Sequence, residues 1–134
     1  MGRPVADGAI RIPCKSLQGF FEAYFDMLKP IHKLSSKEIK LIATFVRFRH
    51  ELSKTVLDPD LCDEYMMTQD VRNKIRTECG MSKQSFRIHM VNLRKNKVII
   101  NNRINPKLIP NMSDDGSFRL MLYFDISGNG QGEV

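Results

Sequence analysis

The sequence predicts an α+β fold that is mostly helical. Three observations carry this expectation. Apolar residues recur at helical spacing through most of residues 16–96, and Gly80 separates two such runs, with Ser82 placed to cap the second. Beyond Lys97 the pattern changes to β-branched residues on either side of Asn101 and Asn102, and then to an alternation in which Phe118, Leu120, Leu122, Phe124 and Ile126 share one face. At 134 residues, with 42% hydrophobic and 27% charged, the chain suits one globular domain around a single core.

The elements follow in order. Ile10 and Ile12 alternate with Arg11 and predict a short N-terminal strand, which Pro13 stops or confines to an edge. Ser16 then caps a helix in which Leu17, Phe20, Phe21, Tyr24, Phe25 and Leu28 form a broad apolar stripe that Pro30 closes. Such a stripe packs into a core or, between Phe20 and Leu28, forms the contact of a homodimer. Residues 1–33 are therefore read as an N-terminal extension of strand and aromatic helix, residues 34–126 as the main domain, and residues 127–134 ("SGNGQGEV") as a flexible tail too poor in apolar surface to fold.

"LSSKEIKLIATFVRFRHELSK" carries a capping box, Ser35 with Glu38, and a hydrophobic staple, Leu34 with Ile39. Its helix is expected to run to about Lys54 with Ile39, Ile42, Phe45, Val46, Arg49 and Leu52 on one face. "TVLDPDLCDEYMM" combines Pro59 with four acids and reads as a loop with some anchoring side chains. Thr68 is placed to cap a helix that turns Val71 and Ile75 inward. Gly80 turns the chain, Met81 plugs the corner, and Ser82 starts a helix with Phe86, Met90 and Leu93 as its buried stripe. Lys83, Gln84, Arg87, Ile88, Val91, Arg94 and Lys95 are left to its sides and outer face. A helix, a tight turn with glycine and a second helix make the sequence form of a helix-turn-helix. Residues 98–100 and 103–105 predict a hairpin turned by Asn101 and Asn102, with Pro106 interrupting its pairing. Phe118, Leu120, Leu122, Phe124 and Ile126 predict a half-buried strand, introduced by the loop "SDDG".

Charge is distributed unevenly. The formal net charge is +6, yet residues 79–113 alone hold seven basic residues and no acid, so the remainder sums to about −1. By charge alone this window is as readily a solvated face as a surface for a polyanion. Other classes are excluded more firmly. No apolar run approaches the roughly 20 residues of a membrane span, and the N-terminus lacks the apolar centre of a secretion signal, so a cytoplasmic protein is expected. Cys14, Cys62 and Cys79 are odd in number without paired spacing, which predicts buried thiols rather than disulfides. His32, His50 and His89 are scattered singly, so no metal or other cofactor is expected. His89 reads as a satisfied boundary residue and Cys79 as packed in the turn. No phosphate loop, nucleophile elbow or His-carboxylate spacing suggests an enzyme.

The run "MTQDVRNKIRTECGMSKQSFRIHMVNLRKNKVII" resembles the core of winged helix-turn-helix DNA-binding domains, and "RINP" is similar to the end of the wing hairpin in winged-helix replication initiators of plasmids and phages. The resemblance covers roughly residues 34–126. It implies a recognition helix at about residues 82–96 followed by a β-hairpin wing, in a non-catalytic protein whose partner is double-stranded DNA. By that resemblance Ser82 meets a phosphate at the helix N-terminus, while Lys83, Gln84 and Arg87 face base edges. Arg94, Lys95 and Lys97 hold backbone, and Asn102, Arg103 and Lys107 bring the wing to an adjacent groove. The implied roles are replication initiation or transcription regulation, with a homodimer reading paired half-sites. The alternative is an assembly module, for instance in a phage particle, whose basic face meets acids of another protein. Two departures stand out: Lys97 occupies a position that is commonly glycine in the family, and the acidic stretch before Thr68 is longer than usual.

Overall fold

The computed structural model, which describes residues 9–113 and 116–126, contains helices α1 (Leu17–His32), α2 (Ser36–Leu52), α3 (Pro59–Met66), α4 (Gln69–Glu78) and α5 (Lys83–Lys95). A two-stranded antiparallel hairpin, β1 (Ile99–Ile100) and β2 (Arg103–Ile104), and a short 3-10 turn at Pro106–Leu108 follow. The class is thus α+β and mostly helical. The expected tail at residues 127–134 lies outside the described residues.

Helix α2 is the hub, packed by α1, α3, α4 and α5. Its start is the predicted capping box: the Ser35 hydroxyl accepts from the Glu38 N–H at 3.2 Å, and the Glu38 carboxylate accepts from the Ser35 N–H at 3.1 Å. The expected single stripe is corrected, because Leu41, Ile42, Ala43, Thr44, Phe45 and Val46 are buried in succession. A helix covered on every side by four others needs no polar face through its middle. The one buried hydroxyl in this run, Thr44, donates to the Lys40 carbonyl one turn back at 2.7 Å.

Helix α1 begins as expected, with the Ser16 hydroxyl accepting from the Gly19 N–H at 3.0 Å, but Pro30 does not close it. The helix continues to His32, since a proline in the last turn removes one backbone bond without preventing the next, and Lys33 ends it in the left-handed region at φ 53°. Phe21, Tyr24, Phe25 and Leu28 are buried in the same hydrophobic cluster as α2, α4, α5 and the hairpin. Residues 17–32 therefore contribute side chains to the core. The stripe offered for dimerisation is already covered by α2, leaving Met27 and Ile31 as the exposed apolar residues of this helix.

The acidic stretch predicted as a loop is helix α3. Asp58 caps it by accepting from the Asp60 N–H at 3.0 Å, and Pro59 stands at the first turn, where a missing N–H costs nothing. Cys62 and Met66 turn inward; Cys79 is half-buried and Cys14 exposed, so the thiols are not uniformly interior. Thr68 precedes α4 but makes no side-chain cap, its hydroxyl donating instead to the Tyr65 carbonyl at 2.8 Å.

Two helix ends share one geometry. After α4, Gly80 takes φ 67°, its N–H reaching the Thr77 carbonyl at 3.0 Å, and the Met81 N–H reaches the Arg76 carbonyl at 3.1 Å while the Met81 side chain is buried. After α5, Lys97 takes φ 65°, with its N–H to Arg94 at 3.2 Å and the Val98 N–H to Leu93 at 2.9 Å. Both are 6→1 and 5→2 bonded terminations, each followed by a buried apolar residue. Nothing lies within 4 Å of a Cβ built on Gly80, so glycine is favoured there by its backbone angle alone. Lys97 meets the same demand with a side chain. Lys97→Gly is therefore expected to stabilise the fold by about 0.5–1 kcal/mol, after the gain from an unstrained left-handed residue is set against the freer unfolded chain. Urea unfolding of the variant beside the parent checks this, an unchanged or lower midpoint going against it.

The hairpin forms with the expected turn. Ile99 pairs with Ile104 and Ile100 with Arg103, and Asn101 and Asn102 both take positive φ, 55° and 57°, as a tight primed turn requires. Neither predicted flanking strand forms. Ile10 and Ile12 lie exposed without strand pairing, and residues 117–126 have none either. Alternation supplies an apolar face, but a strand also needs a neighbour for its backbone groups, and among the described residues neither segment has one. Phe118 is anchored edge-on to Phe20 at 5.5 Å and to Tyr24 at 5.4 Å.

Candidate nucleic-acid interface

Helix α5 is divided cleanly between a core side and an open side. Phe86, Met90 and Leu93 are buried, with the Phe86 ring stacked 6.5 Å from that of Phe45 of α2 and the Arg72 guanidinium of α4 lying 5.7 Å from the centroid of the same Phe86 ring. At 100° per residue these three span one narrow arc. Gln84, Ile88, Val91 and Lys95 fall on the opposite arc and Lys83, Arg87 and Arg94 on one flank, and all seven are exposed. Their joint placement follows from the burial of the other three.

The helix is held at its flank by a buried carboxylate. Glu38, only 3% exposed, uses its second oxygen to accept from His89 Nδ1 at 2.7 Å and from Asn92 Nδ2 at 3.0 Å. Burial pushes the Glu38 carboxyl upward, but the hydrogen bonds from His89, Asn92 and the Ser35 N–H, with the charge of His89, outweigh it and hold the group below its ordinary value. At the far end, His32 of α1 donates through Nδ1 to the Asn96 carbonyl at 3.3 Å. The middle and the C-terminal end of α5 are thus tied down by polar contacts. Sequence reading found Glu38 as a cap and His89 as a boundary residue, but had no means of joining residues 51 positions apart.

The turn before α5 is also braced. The Ser82 hydroxyl accepts from the Ser85 N–H at 3.1 Å, so its oxygen caps the first turn of the helix. Arg76 of α4 donates to the Met81 carbonyl at 3.0 Å, fixing the corner from below.

The wing residues divide. Asn102 stands exposed at the hairpin tip, Lys107 is exposed in the 3-10 turn, and Lys97 is exposed at the end of α5. Arg103 differs from the others: its guanidinium lies 3.5 Å from Asp63 and 3.6 Å from Asp60 on α3, and Asp63 also accepts from Arg49 Nε at 2.7 Å. The charge expected to meet a phosphate is instead shared with two acids of the helix that sequence reading took for a loop. The asparagine of "RINP" is likewise structural, Asn105 accepting from the Lys107 N–H at 3.0 Å and donating to the Lys97 carbonyl at 2.9 Å. Nine of the ten expected contact residues are exposed, and Arg103 is the half-buried exception.

No family model, curated protein or solved structure matches this chain. The functional reading rests on the α5 surface and its supports. Among the described residues no group of three or more His, Cys, Asp or Glu side chains is placed to hold a metal ion, and no helix is long and apolar enough to cross a membrane.

Proposed function

We propose that α4, α5 and the β1–β2 hairpin act as a winged helix-turn-helix that binds duplex DNA, with α5 in the major groove, in a replication initiator or transcription regulator of plasmid or phage type. The supporting observation is the open face of α5, which carries Lys83, Arg87, Arg94 and Lys95 with no acid anywhere between residues 79 and 113. A 13-residue helix is about 20 Å long, and the major groove is wide enough to admit it. Gln84 and Arg87 lie near the start of the helix, where base edges are met; Gln84 suits adenine and Arg87 guanine by paired hydrogen bonds. Lys95, Arg94 and Lys97 at the other end suit phosphates, as do Ser82 and the first-turn N–H groups. Asn102 and Lys107 carry the wing contact.

With Arg103 engaged by Asp60 and Asp63, six cations remain: Lys83, Arg87, Arg94, Lys95, Lys97 and Lys107. If each neutralises one phosphate, the logarithm of affinity for random duplex falls with that of salt at a slope of about −5. Fluorescence anisotropy at several salt concentrations measures this. Undetectable binding, or binding insensitive to salt, excludes the proposal.

One observation favours the assembly reading. Ile88 and Val91, each 51% exposed, lie among the basic residues of α5. On DNA they suit thymine methyl groups. On a protein they would be the apolar centre of a contact with a charged rim. Lack of binding to any duplex, together with binding to a partner that is lost on Val91→Asp, would support that second reading.

A further inference from the structure

A helix in the major groove has phosphates on both sides. The groove is about 12 Å wide and a helix with its side chains about 10–12 Å across, so each flank of α5 meets one sugar-phosphate ridge. On one flank stand Lys83, Arg87 and Arg94. The other flank, formed by Ser85, His89, Asn92 and Asn96, has no lysine or arginine of its own. What lies beside it is the corner that joins α1 to α2. We infer that Lys33 and Lys37 of this corner bind the second phosphate ridge, so that the DNA surface extends beyond α5 and the hairpin to the start of α2. The inference rests on α5 lying in the major groove, as proposed above.

Three contacts fix the corner in this place. The His32 ring meets the Asn96 carbonyl at 3.3 Å, and the Glu38 carboxylate accepts from His89 at 2.7 Å and from Asn92 at 3.0 Å. Lys33 directly follows His32 and Lys37 directly precedes Glu38, so each lysine leaves the chain one residue from a contact with that flank. Both are exposed, and among the described residues neither makes a hydrogen bond or ion pair. Lys97 comes next after Asn96 and is exposed as well, so the corner continues the positive surface of α5.

Neither lysine serves the fold. Lys33 takes φ 53°, a backbone angle that a residue with a Cβ adopts at some cost. Lys37 sets a cation in the first turn of α2, against the positive end of the helix dipole. From residue 27 to residue 50 the single acid is Glu38, which is 3% exposed and turned inward to α5. No other acid of that stretch offsets the two lysines, and an uncompensated basic corner suits an external polyanion.

Anisotropy titrations on random duplex at several salt concentrations test this with three paired variants beside the parent. Lys33 and Lys37 bring the six phosphate-binding cations proposed above to eight, so the parent's salt slope is expected near about −7. Lys33→Ala with Lys37→Ala should return it to about −5 and weaken binding about tenfold or more at moderate salt. Lys33→Arg with Lys37→Arg should keep the parent's slope, which a purely structural role of these positions does not predict. The control is Lys15→Ala with Lys54→Ala, two exposed lysines at the opposite ends of α1 and α2, where Gln18 meets Arg47. It should leave the slope unchanged. A parent that binds no duplex removes the α5 reading and this inference with it. A parent that binds, with the same slope in the Lys33, Lys37 alanine variant, overturns the inference and leaves the α5 reading standing. An equal loss in the Lys15, Lys54 variant also overturns it, since overall charge rather than the corner would then carry the effect.

Discussion

Glu38→Ala is expected to lower the stability of the fold by about 3 kcal/mol and to flatten its dependence on acid. The magnitude combines two losses: about 1 kcal/mol for the capping box, and about 1.5–3 kcal/mol for charge-assisted hydrogen bonds to His89 and Asn92 that leave their donors without a partner. Removing the buried carboxylate also removes its desolvation cost, which keeps the total at the lower end of that sum. The acid dependence has a definite sign. Glu38 is held below its ordinary value in the folded chain, so protons bind more readily to the unfolded chain and acid favours unfolding. The contribution is complete above the unfolded value of about 4.3 and is lost as pH falls below it through the lower, folded value. Urea unfolding at neutral pH and in steps down to about pH 3 measures both quantities. Glu38→Gln separates the roles, because its carbonyl can still accept from Ser35 while its amide cannot serve two donors. It should fall between parent and alanine at neutral pH. Equal stability of parent and alanine variant would show that α5 is held by its apolar face alone.

Reversing two charges on α5, Arg87→Glu with Lys95→Glu, is expected to reduce duplex affinity by at least about 100-fold at moderate salt while leaving the melting temperature close to that of the parent. Each substitution removes one cation and adds an anion beside the phosphates, so the pair changes the local charge by four. Both side chains are exposed, and among the described residues neither makes a hydrogen bond or ion pair, so the loss should be confined to binding. Arg103→Ala is the informative comparison. Its guanidinium is engaged with Asp60 and Asp63, and its removal should change affinity by no more than about twofold. If Arg103→Ala weakens DNA binding as much as a single change on α5, the wing contacts DNA through that residue and the acids of α3 release it. If the double reversal binds as the parent does, α5 is not the DNA-binding element.

Much of the framework was legible because it depends on neighbours within a few residues. The Ser35–Glu38 box, the Ser82 cap, the Gly80 turn, the Phe86, Met90, Leu93 stripe and the Asn101–Asn102 hairpin are local arrangements, and each stands in the structure where its spacing placed it. Asp58 followed by Pro59 was an equally local helix start. Its four acids and proline resemble a loop by composition, whereas position makes Asp58 a cap and Pro59 a first-turn residue.

Sequence alone therefore determined where the helices begin and turn, and that one helix presents its basic residues together, since periodicity sets which side chains share a face. Tertiary structure decided the rest. It buried the middle of α2 on every side, joined Glu38 to His89 and Asn92, set Arg103 against α3, and left residues 118–126 without strand pairing among the described residues. Each of these depends on which distant segment arrives alongside. The free energy of an ion pair or a strand belongs to two partners, and a linear pattern specifies only one of them.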